Sequence, residues 1–165
     1  MLTNHFLYYT MYFIEMRIYM VEYFMKEAIL EARKALNINE VPIGVIITKE
    51  NKIIGRGHNL VEKLKSPLAH AEMIAIKQAC KNINNWRLNG CNMYVTLEPC
   101  PMCTGAIIRS RIDKVYIGTF DPNSGACGGT INLAQNEYLN TNININWLYD
   151  EESSILLKSF FHSKR

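Results

Sequence analysis

The sequence lacks an uninterrupted apolar run long enough to cross a membrane. Residues 1–19 are rich in Tyr, Phe, Met and Ile, but Glu15, Arg17 and Glu22 interrupt the run before the ~20 apolar residues that a spanning helix needs. No basic region precedes this stretch and no small-residue cleavage site follows it, so a signal peptide is not expected. We predict no membrane segment, and we interpret residues 1–19 as an N-terminal extension of the first helix or as sequence upstream of an alternative start.

The chain also has little net charge and no disulfide framework. It carries 18 Lys and Arg against 15 Asp and Glu, and a net charge of +3 permits an RNA partner without indicating one. Five cysteines with one tight C-x-x-C pair are typical of a metal or redox site, and a reducing compartment, the cytoplasm, is expected. There is no internal repeat, and an apolar fraction of 48% supports one core, so we assign residues 20–165 to a single domain.

Predicted helices and strands alternate along this domain. Apolar periodicity and turn residues predict, in order, a helix over residues 23–36, strands over 44–49 and 52–57, a helix over 69–80, a strand over 93–97, a helix from 101, a strand over 114–118 and a helix over 151–165. This order predicts an α/β fold, a sandwich whose central sheet has helices on both faces. The Asn-rich stretch 136–146 is interpreted as a surface loop and strand.

Three side chains have the chemistry of zinc ligands. His70 lies at the start of one predicted helix, and Cys100 and Cys103 lie at the start of the next. Two thiolates and one imidazole leave the fourth tetrahedral position for water, which is typical of catalytic zinc, whereas a structural zinc module would show a fourth protein ligand. The two helix N-termini favour ionised thiols. We therefore predict one zinc ion per subunit.

Glu72 follows His70 by two residues and is expected to serve as a proton shuttle instead of a ligand. On a helix it faces a different direction from His70, so it is available to the zinc-activated water. H-x-E followed by P-C-x-x-C is the known signature of zinc-dependent nucleobase deaminases. A redox C-x-x-C would need a thioredoxin-like arrangement, which is absent. The pattern therefore favours hydrolytic deamination.

With these motifs, the chain resembles the bacterial-type tRNA-specific adenosine deaminases of the cytidine deaminase superfamily. The resemblance runs from about Tyr23 to the C-terminus. It is carried by residues 40–44, 58–59, 69–72, 86–88, 97–103, 110–112, 121–122 and 160–161. The N-terminal segment and the Asn-rich stretch depart from the family pattern. The resemblance implies a cytidine deaminase-like fold, a three-layer α/β/α sandwich with a mixed central sheet.

The resemblance also implies substrate contacts. Asn59 would hydrogen-bond the flipped base, Ile43 would pack against it, and Asp121 would contact the sugar of the nucleotide or its neighbours. Other interpretations stay open, because Ile43 is also a plausible core residue, Asn59 a turn residue and Asp121 a turn opener. The basic residues considered as phosphate contacts are Lys63, Lys65, Arg109, Lys158, Lys164 and Arg165.

The family substrate is the wobble adenosine in the anticodon stem-loop of an arginine tRNA, and family members are homodimers. A loop base costs less to extrude than a paired one. We expect conversion of adenosine to inosine, a tRNA partner and a homodimer. Two alternatives stay open. One is a deaminase of a free base or nucleoside (cytosine, cytidine or guanine), and the other is a non-catalytic zinc-bearing RNA-binding subunit, which the presence of Glu72 argues against. Cys127 is expected to be a buried thiol.

Overall fold

The computed structural model describes residues 2–139 and 143–164, and within them helices and strands alternate. The helices are α1 (Leu2–Asn37), α2 (Val61–Leu64), α3 (Ala71–Asn82), α4 (Pro101–Ser110) and α5 (Glu151–His162), with a 3₁₀ helix at Glu137–Leu139. The strands are β1 (Gly44–Lys49), β2 (Lys52–His58), β3 (Cys91–Leu97), β4 (Lys114–Thr119) and β5 (Asn144–Trp147).

The described strands form one mixed sheet in the order β2-β1-β3-β4-β5. Strand β1 is antiparallel to β2 and β3, whereas β3, β4 and β5 are mutually parallel. Glu50 and Asn51 join β1 to β2, and both have positive φ, at 48° and 58°. Two consecutive left-handed residues are typical of a type I′ hairpin, so the predicted turn at this position is confirmed.

Helices cover both faces of the sheet. Val45 and Ile47 of β1 pack in a buried cluster with side chains of α3 and α4, whereas Ile46 packs with Phe24 and Ala28 of α1 on the opposite face. Successive strand residues point to opposite faces, so this run of buried residues supplies both layers of the core. The predicted three-layer α/β/α sandwich with a mixed sheet is confirmed.

The N-terminal turn of α3 lies directly against β2. At Gly57 a Cβ atom would collide with the backbone at Ala71 and Ala75, so only glycine permits this approach. Both alanines are fully buried. This packing places the first turn of α3 beside the residues that follow β2.

The structure adds the short helix α2 and the 3₁₀ helix at Glu137–Leu139, which were not in the predicted order. The predicted order named four strands, and β5 lies at the end of the Asn-rich stretch 136–146, where a surface loop and strand were expected. Helix α1 begins at Leu2 and not at residue 23, and an N-terminal extension of the first helix was one of the two interpretations of this segment. Among the described residues, no helix combines the length and apolar character that crossing a membrane requires. The assignment of residues 20–165 to one domain stays a prediction.

Candidate active site

Two helix N-termini bring three metal-binding side chains together. His70 immediately precedes α3, Cys100 immediately precedes α4, and Cys103 lies in the first turn of α4. His70 Nδ1 is 3.7 Å from Cys100 Sγ and 3.5 Å from Cys103 Sγ. A tetrahedral zinc ion with bonds of about 2.0–2.1 Å to nitrogen and about 2.3 Å to sulfur separates such ligand atoms by about 3.6 Å. The donor set and its spacing therefore fit zinc.

The two thiols differ in acidity. A hydrogen bond from the Cys103 thiol lowers the pKa of Cys100 to about 5 despite partial burial, and backbone amides of the α4 N-terminus and the charge of His70 act in the same direction. The same hydrogen bond, together with burial, raises the pKa of Cys103. The protein thus stabilises one thiolate by itself, and the second thiol loses its proton when a metal binds.

Glu72 is a buried carboxylate beside this cluster. It lies in the first turn of α3, is only 3% exposed, and interacts electrostatically with Cys100 and His70. Its Oε2 has no hydrogen-bond partner among the residues that the structure describes. Burial raises its pKa to about 7. A titratable group that is buried, only partly satisfied and poised near neutral pH is typical of a general acid–base catalyst.

A cavity of about 980 Å³ lies beside His70 and is lined by two of the predicted substrate contacts, Ile43 and Asn59. Ile43 precedes β1 and Asn59 follows β2. The backbone N–H of Asn59 donates to the backbone carbonyl of Ile43 at 3.1 Å. The C-terminal part of α5 contributes Phe160 and Phe161 to the wall. The structure therefore brings Ile43, Asn59 and a zinc-ligand candidate to one cavity, and their role as substrate contacts stays a prediction.

Asp121 lies apart from these residues. It lines a neighbouring cavity of about 780 Å³, and Val41 and Phe161 line both cavities. Its carboxylate accepts hydrogen bonds from the backbone amides of Asn123, at 2.9 Å, and Ser124, at 3.3 Å, and from the Ser124 hydroxyl at 2.6 Å. These contacts are those of a turn opener. A substrate contact from Asp121 stays a prediction, and it would come from the second cavity.

Glu40 is a buried carboxylate to which the sequence analysis gave no role. It is 1% exposed, and its Oε2 accepts a hydrogen bond from Asn59 Nδ2 at 3.1 Å. Its Oε1 accepts one from the backbone amide of Lys63, in α2, at 2.7 Å. Glu40 also lines the 980 Å³ cavity. A glutamate next to the apolar Val41-Pro42-Ile43 segment is a weak signal of burial, but its partners are not readable from the sequence.

Glu98 is a second buried carboxylate without a predicted role. It is 2% exposed, and it accepts hydrogen bonds from the backbone amides of Asp121, at 3.0 Å, Cys127, at 2.9 Å, and Gly129, at 2.8 Å. These bonds hold the loop that follows β4 against the segment leading to Cys100. Cys127 is 3% exposed, as expected for a buried thiol, and burial raises its pKa to about 12.

Some of the basic residues considered as phosphate contacts lie at the two cavities. Lys63 and Lys164 line the first cavity, and Lys158 lines the second. Lys65 pairs with Glu62 on the surface at 3.2 Å. Arg165 lies outside the described residues. Acidic side chains accompany these lysines, because Glu40 and Glu62 line the first cavity and Asp121 lines the second.

Comparisons with known proteins show the family of this chain. The model of the cytidine and deoxycytidylate deaminase zinc-binding region matches residues 19–119. The chain is 47% identical over 145 residues to the tRNA-specific adenosine deaminase of Bacillus subtilis strain 168, covering 87% of this chain and 90% of the relative. It is 46% identical to the protein of the same name from Aquifex aeolicus, covering 87% of this chain and 95% of the relative.

Solved structures share the fold. A chain from a study of A-to-I editing by tRNA:A34 deaminases at the wobble position of transfer RNA superposes with a TM-score of 0.79 at 36% identity, covering 82% of this chain and 99% of that chain. Guanine deaminase from Bacillus subtilis superposes with a TM-score of 0.57 at 31% identity, covering 72% and 88%. The resemblance proposed from the sequence is confirmed. This chain belongs to the zinc-binding cytidine and deoxycytidylate deaminase family, and within it is similar to the tRNA-specific adenosine deaminases.

Proposed function

We propose that this protein hydrolytically deaminates adenosine to inosine at the wobble position of a tRNA anticodon. The observation that carries the proposal is the buried Glu72 carboxylate, with one unpartnered oxygen, beside the cluster of His70, Cys100 and Cys103. Relatives that are 46–47% identical over 87% of this chain are named tRNA-specific adenosine deaminases, which supports the choice of substrate.

His70, Cys100 and Cys103 would hold the zinc ion. When bound, zinc supplies a Lewis acid that makes water nucleophilic at neutral pH. Glu72 accepts the proton that the attacking water loses. It returns this proton to the ring nitrogen, then accepts the remaining proton of the added hydroxyl and gives it to the departing amino group, so that the new carbon–oxygen bond becomes a carbonyl, the carbon–nitrogen bond breaks and ammonia leaves. Its pKa of about 7 suits both accepting and donating protons.

The cavity beside His70 accommodates a base that has left its stack. Ile43 offers an apolar surface and Asn59 an amide at the wall, which together suit the face and the edge of a purine. Lys63 and Lys164 line the same cavity and carry charges that attract a phosphate backbone. A single-stranded anticodon loop delivers such a base at a lower cost than a duplex.

Three finer features belong to the same proposal. The tRNA is an arginine tRNA, the enzyme acts as a homodimer with one zinc ion per subunit, and it works in the cytoplasm. The support for these features is the resemblance to the family. Mass measurement in solution and zinc analysis test the second feature, and a comparison of arginine tRNA with other tRNAs tests the first.

The deciding experiment is sequencing of reacted tRNA. The zinc-loaded protein is incubated with an anticodon stem-loop and, in parallel, with free adenosine, guanine, cytosine and cytidine. The expected result is an adenosine that is read as guanosine at the wobble position only. Turnover confined to the free compounds would contradict the proposal and favour the free-base alternative.

A further inference from the structure

Glu40 lies behind Asn59 at the wall of the cavity, and the two side chains are joined by a buried hydrogen bond. Glu40 is 1% exposed and Asn59 is 5% exposed. Glu40 Oε2 accepts from Asn59 Nδ2 at 3.1 Å. We propose that Glu40 is a positioning residue that holds the Asn59 carboxamide in one orientation toward the substrate base. The identity of that base rests on the proposed function, whereas the orienting contact does not.

An asparagine amide presents different chemistry on its two sides. Nδ2 is a donor and Oδ1 is an acceptor, and rotation by half a turn exchanges them. A carboxylate offers acceptors only, so Glu40 binds the Nδ2 side and turns Oδ1 away from itself. The Asn59 backbone is already held, because its N–H donates to the Ile43 carbonyl at 3.1 Å. The remaining freedom is the side-chain rotation, and Glu40 decides it.

Glu40 also has a second partner, which explains why a carboxylate is needed. Its Oε1 accepts from the Lys63 backbone N–H at 2.7 Å, so two donors face the two oxygens of one side chain. A glutamine has only one oxygen. If that oxygen stays with Lys63, the introduced amide nitrogen faces Asn59 Nδ2, and the Asn59 carboxamide must turn over to accept. If it stays with Asn59, the Lys63 N–H loses its buried acceptor.

Asn59 orientation matters for recognition because a base is distinguished by the donors and acceptors on its edges. A turned amide offers the wrong group to the base and leaves both partners unpaired. Loss of one buried hydrogen bond of this kind corresponds to a decrease of about 10- to 100-fold in kcat/KM. We therefore expect Glu40→Gln to lower kcat/KM for wobble deamination by this factor, mainly through KM, while the zinc content of the purified protein stays unchanged.

A double-mutant cycle tests whether Glu40 acts through Asn59. The variants are Glu40→Gln, Asn59→Ala and the combination, and kcat and KM are measured on the anticodon stem-loop. In the Asn59→Ala background, Glu40→Gln is expected to cost less than about twofold, because the group that it positions is already gone. The proposal would be overturned if the decrease in kcat/KM of the double variant equalled the product of the two single decreases, or if Glu40→Gln lost its zinc.

Glu31→Gln is the matched control. Glu31 is a comparably buried carboxylate, 2% exposed. It accepts a hydrogen bond from Lys34 and forms another with the ring nitrogen Nδ1 of His58. It belongs to α1 and is not among the residues lining either cavity. Its substitution removes a buried charge of the same type, and we expect kcat/KM to change by less than about twofold. A loss as large as that of Glu40→Gln would mean that any buried carboxylate has the same effect, which contradicts a positioning role.

A spectroscopic measurement makes the outcome independent of catalysis. The NMR signals of the Asn59 side-chain amide are assigned by their absence in Asn59→Ala. They are expected to shift, and to exchange faster with solvent, in Glu40→Gln and to stay in place in Glu31→Gln. Unmoved signals in Glu40→Gln refute the positioning role even if the enzyme is inactive on RNA. Conversely, if the wild type does not deaminate the stem-loop but the Asn59 signals shift in Glu40→Gln, the proposed function is wrong and the positioning role of Glu40 stands.

A second variant covers the case in which Glu40→Gln folds poorly. In Glu40→Gln/Asn59→Asp the donor and acceptor exchange places, since the introduced amide nitrogen donates to the introduced carboxylate and its oxygen still accepts from Lys63. This pair is expected to resist urea better than Glu40→Gln alone. Equal or lower resistance would show that the two side chains are not coupled, and the proposal would be wrong.

Discussion

Replacing Glu72 by glutamine is expected to change activity and stability in opposite directions. The substitution keeps the shape of the side chain and removes its ability to exchange protons. General acid–base catalysis contributes about 100- to 10,000-fold, and Glu72 is proposed to serve more than one proton transfer. We therefore expect kcat for wobble deamination to fall by at least about 1000-fold. Zinc content should be retained, because His70, Cys100 and Cys103 are unchanged.

The stability effect follows from the raised pKa of Glu72. Burial raises the pKa from its usual 4.5 to about 7, so between these values the folded protein holds a proton that the unfolded chain has released. Folding stability therefore falls as the pH rises through this window. The gap between 4.5 and about 7 corresponds to about 3 kcal/mol. Glutamine cannot ionise, so Glu72→Gln escapes this loss.

Urea unfolding of the metal-free protein in a thiol reductant measures this difference. Wild type and Glu72→Gln are compared between about pH 4 and pH 8, and the advantage of the variant is expected to grow by about 3 kcal/mol toward high pH. Glu31→Gln provides a control of opposite sign. Burial raises the pKa of Glu31, but hydrogen bonds from Lys34 and His58 outweigh this effect and lower it, so its charge stabilises the fold above acid pH. A Glu72→Gln difference that does not vary with pH would refute this reasoning.

Four further predictions use the same structure. Cys103→Ser removes a sulfur ligand, and metal analysis should show zinc reduced to a small fraction of that in wild type. A chelator should abolish deamination and lower Tm, and added zinc should restore both, since a ligand at about 100 times its Kd stabilises by about 2.7 kcal/mol. Gly125→Ala forces a Cβ into the Glu98 carboxylate and should cost about 1–3 kcal/mol in urea unfolding, whereas Gly105→Ala, in open space within α4, should be neutral or stabilising. Asp121→Ala should raise KM for the stem-loop without loss of zinc, because Asp121 is predicted to contact the substrate. An unchanged KM would show that Asp121 only stabilises its turn.

The side chains proposed for the chemistry were readable because their spacing is local. His70 and Glu72 are two residues apart in one helix turn, and Cys100 and Cys103 share the start of α4. Proline at the first position of α4 marks that start in the sequence. Helix N-termini then orient these groups toward a common ion. Local geometry of this kind survives in the sequence as a motif.

Other features depended on distant segments. The residues of β5 alternate polar and apolar side chains, but only their parallel pairing with β4 places this strand at the edge of the sheet. Asp121 belongs to a segment that carries the family resemblance, yet it lines the second cavity. Its carboxylate accepts a hydrogen bond from the Ser124 hydroxyl within the same turn. Neither outcome follows from residue type, because both depend on which backbone amides happen to be nearby.

By itself the sequence determined the α/β layering, through the alternation of strand and helix periodicities, and the zinc-ligand candidates with Glu72, through short fixed spacings. Only the tertiary structure decided that Glu40 accepts a hydrogen bond from Asn59, 19 residues away, and that Glu98 accepts hydrogen bonds from three backbone amides of a distant loop. The physical reason is that a buried carboxylate must find donors wherever the packed backbone presents them. These donors come from segments far away in the sequence, and the apolar periodicity along the chain does not indicate which of them faces a given carboxylate.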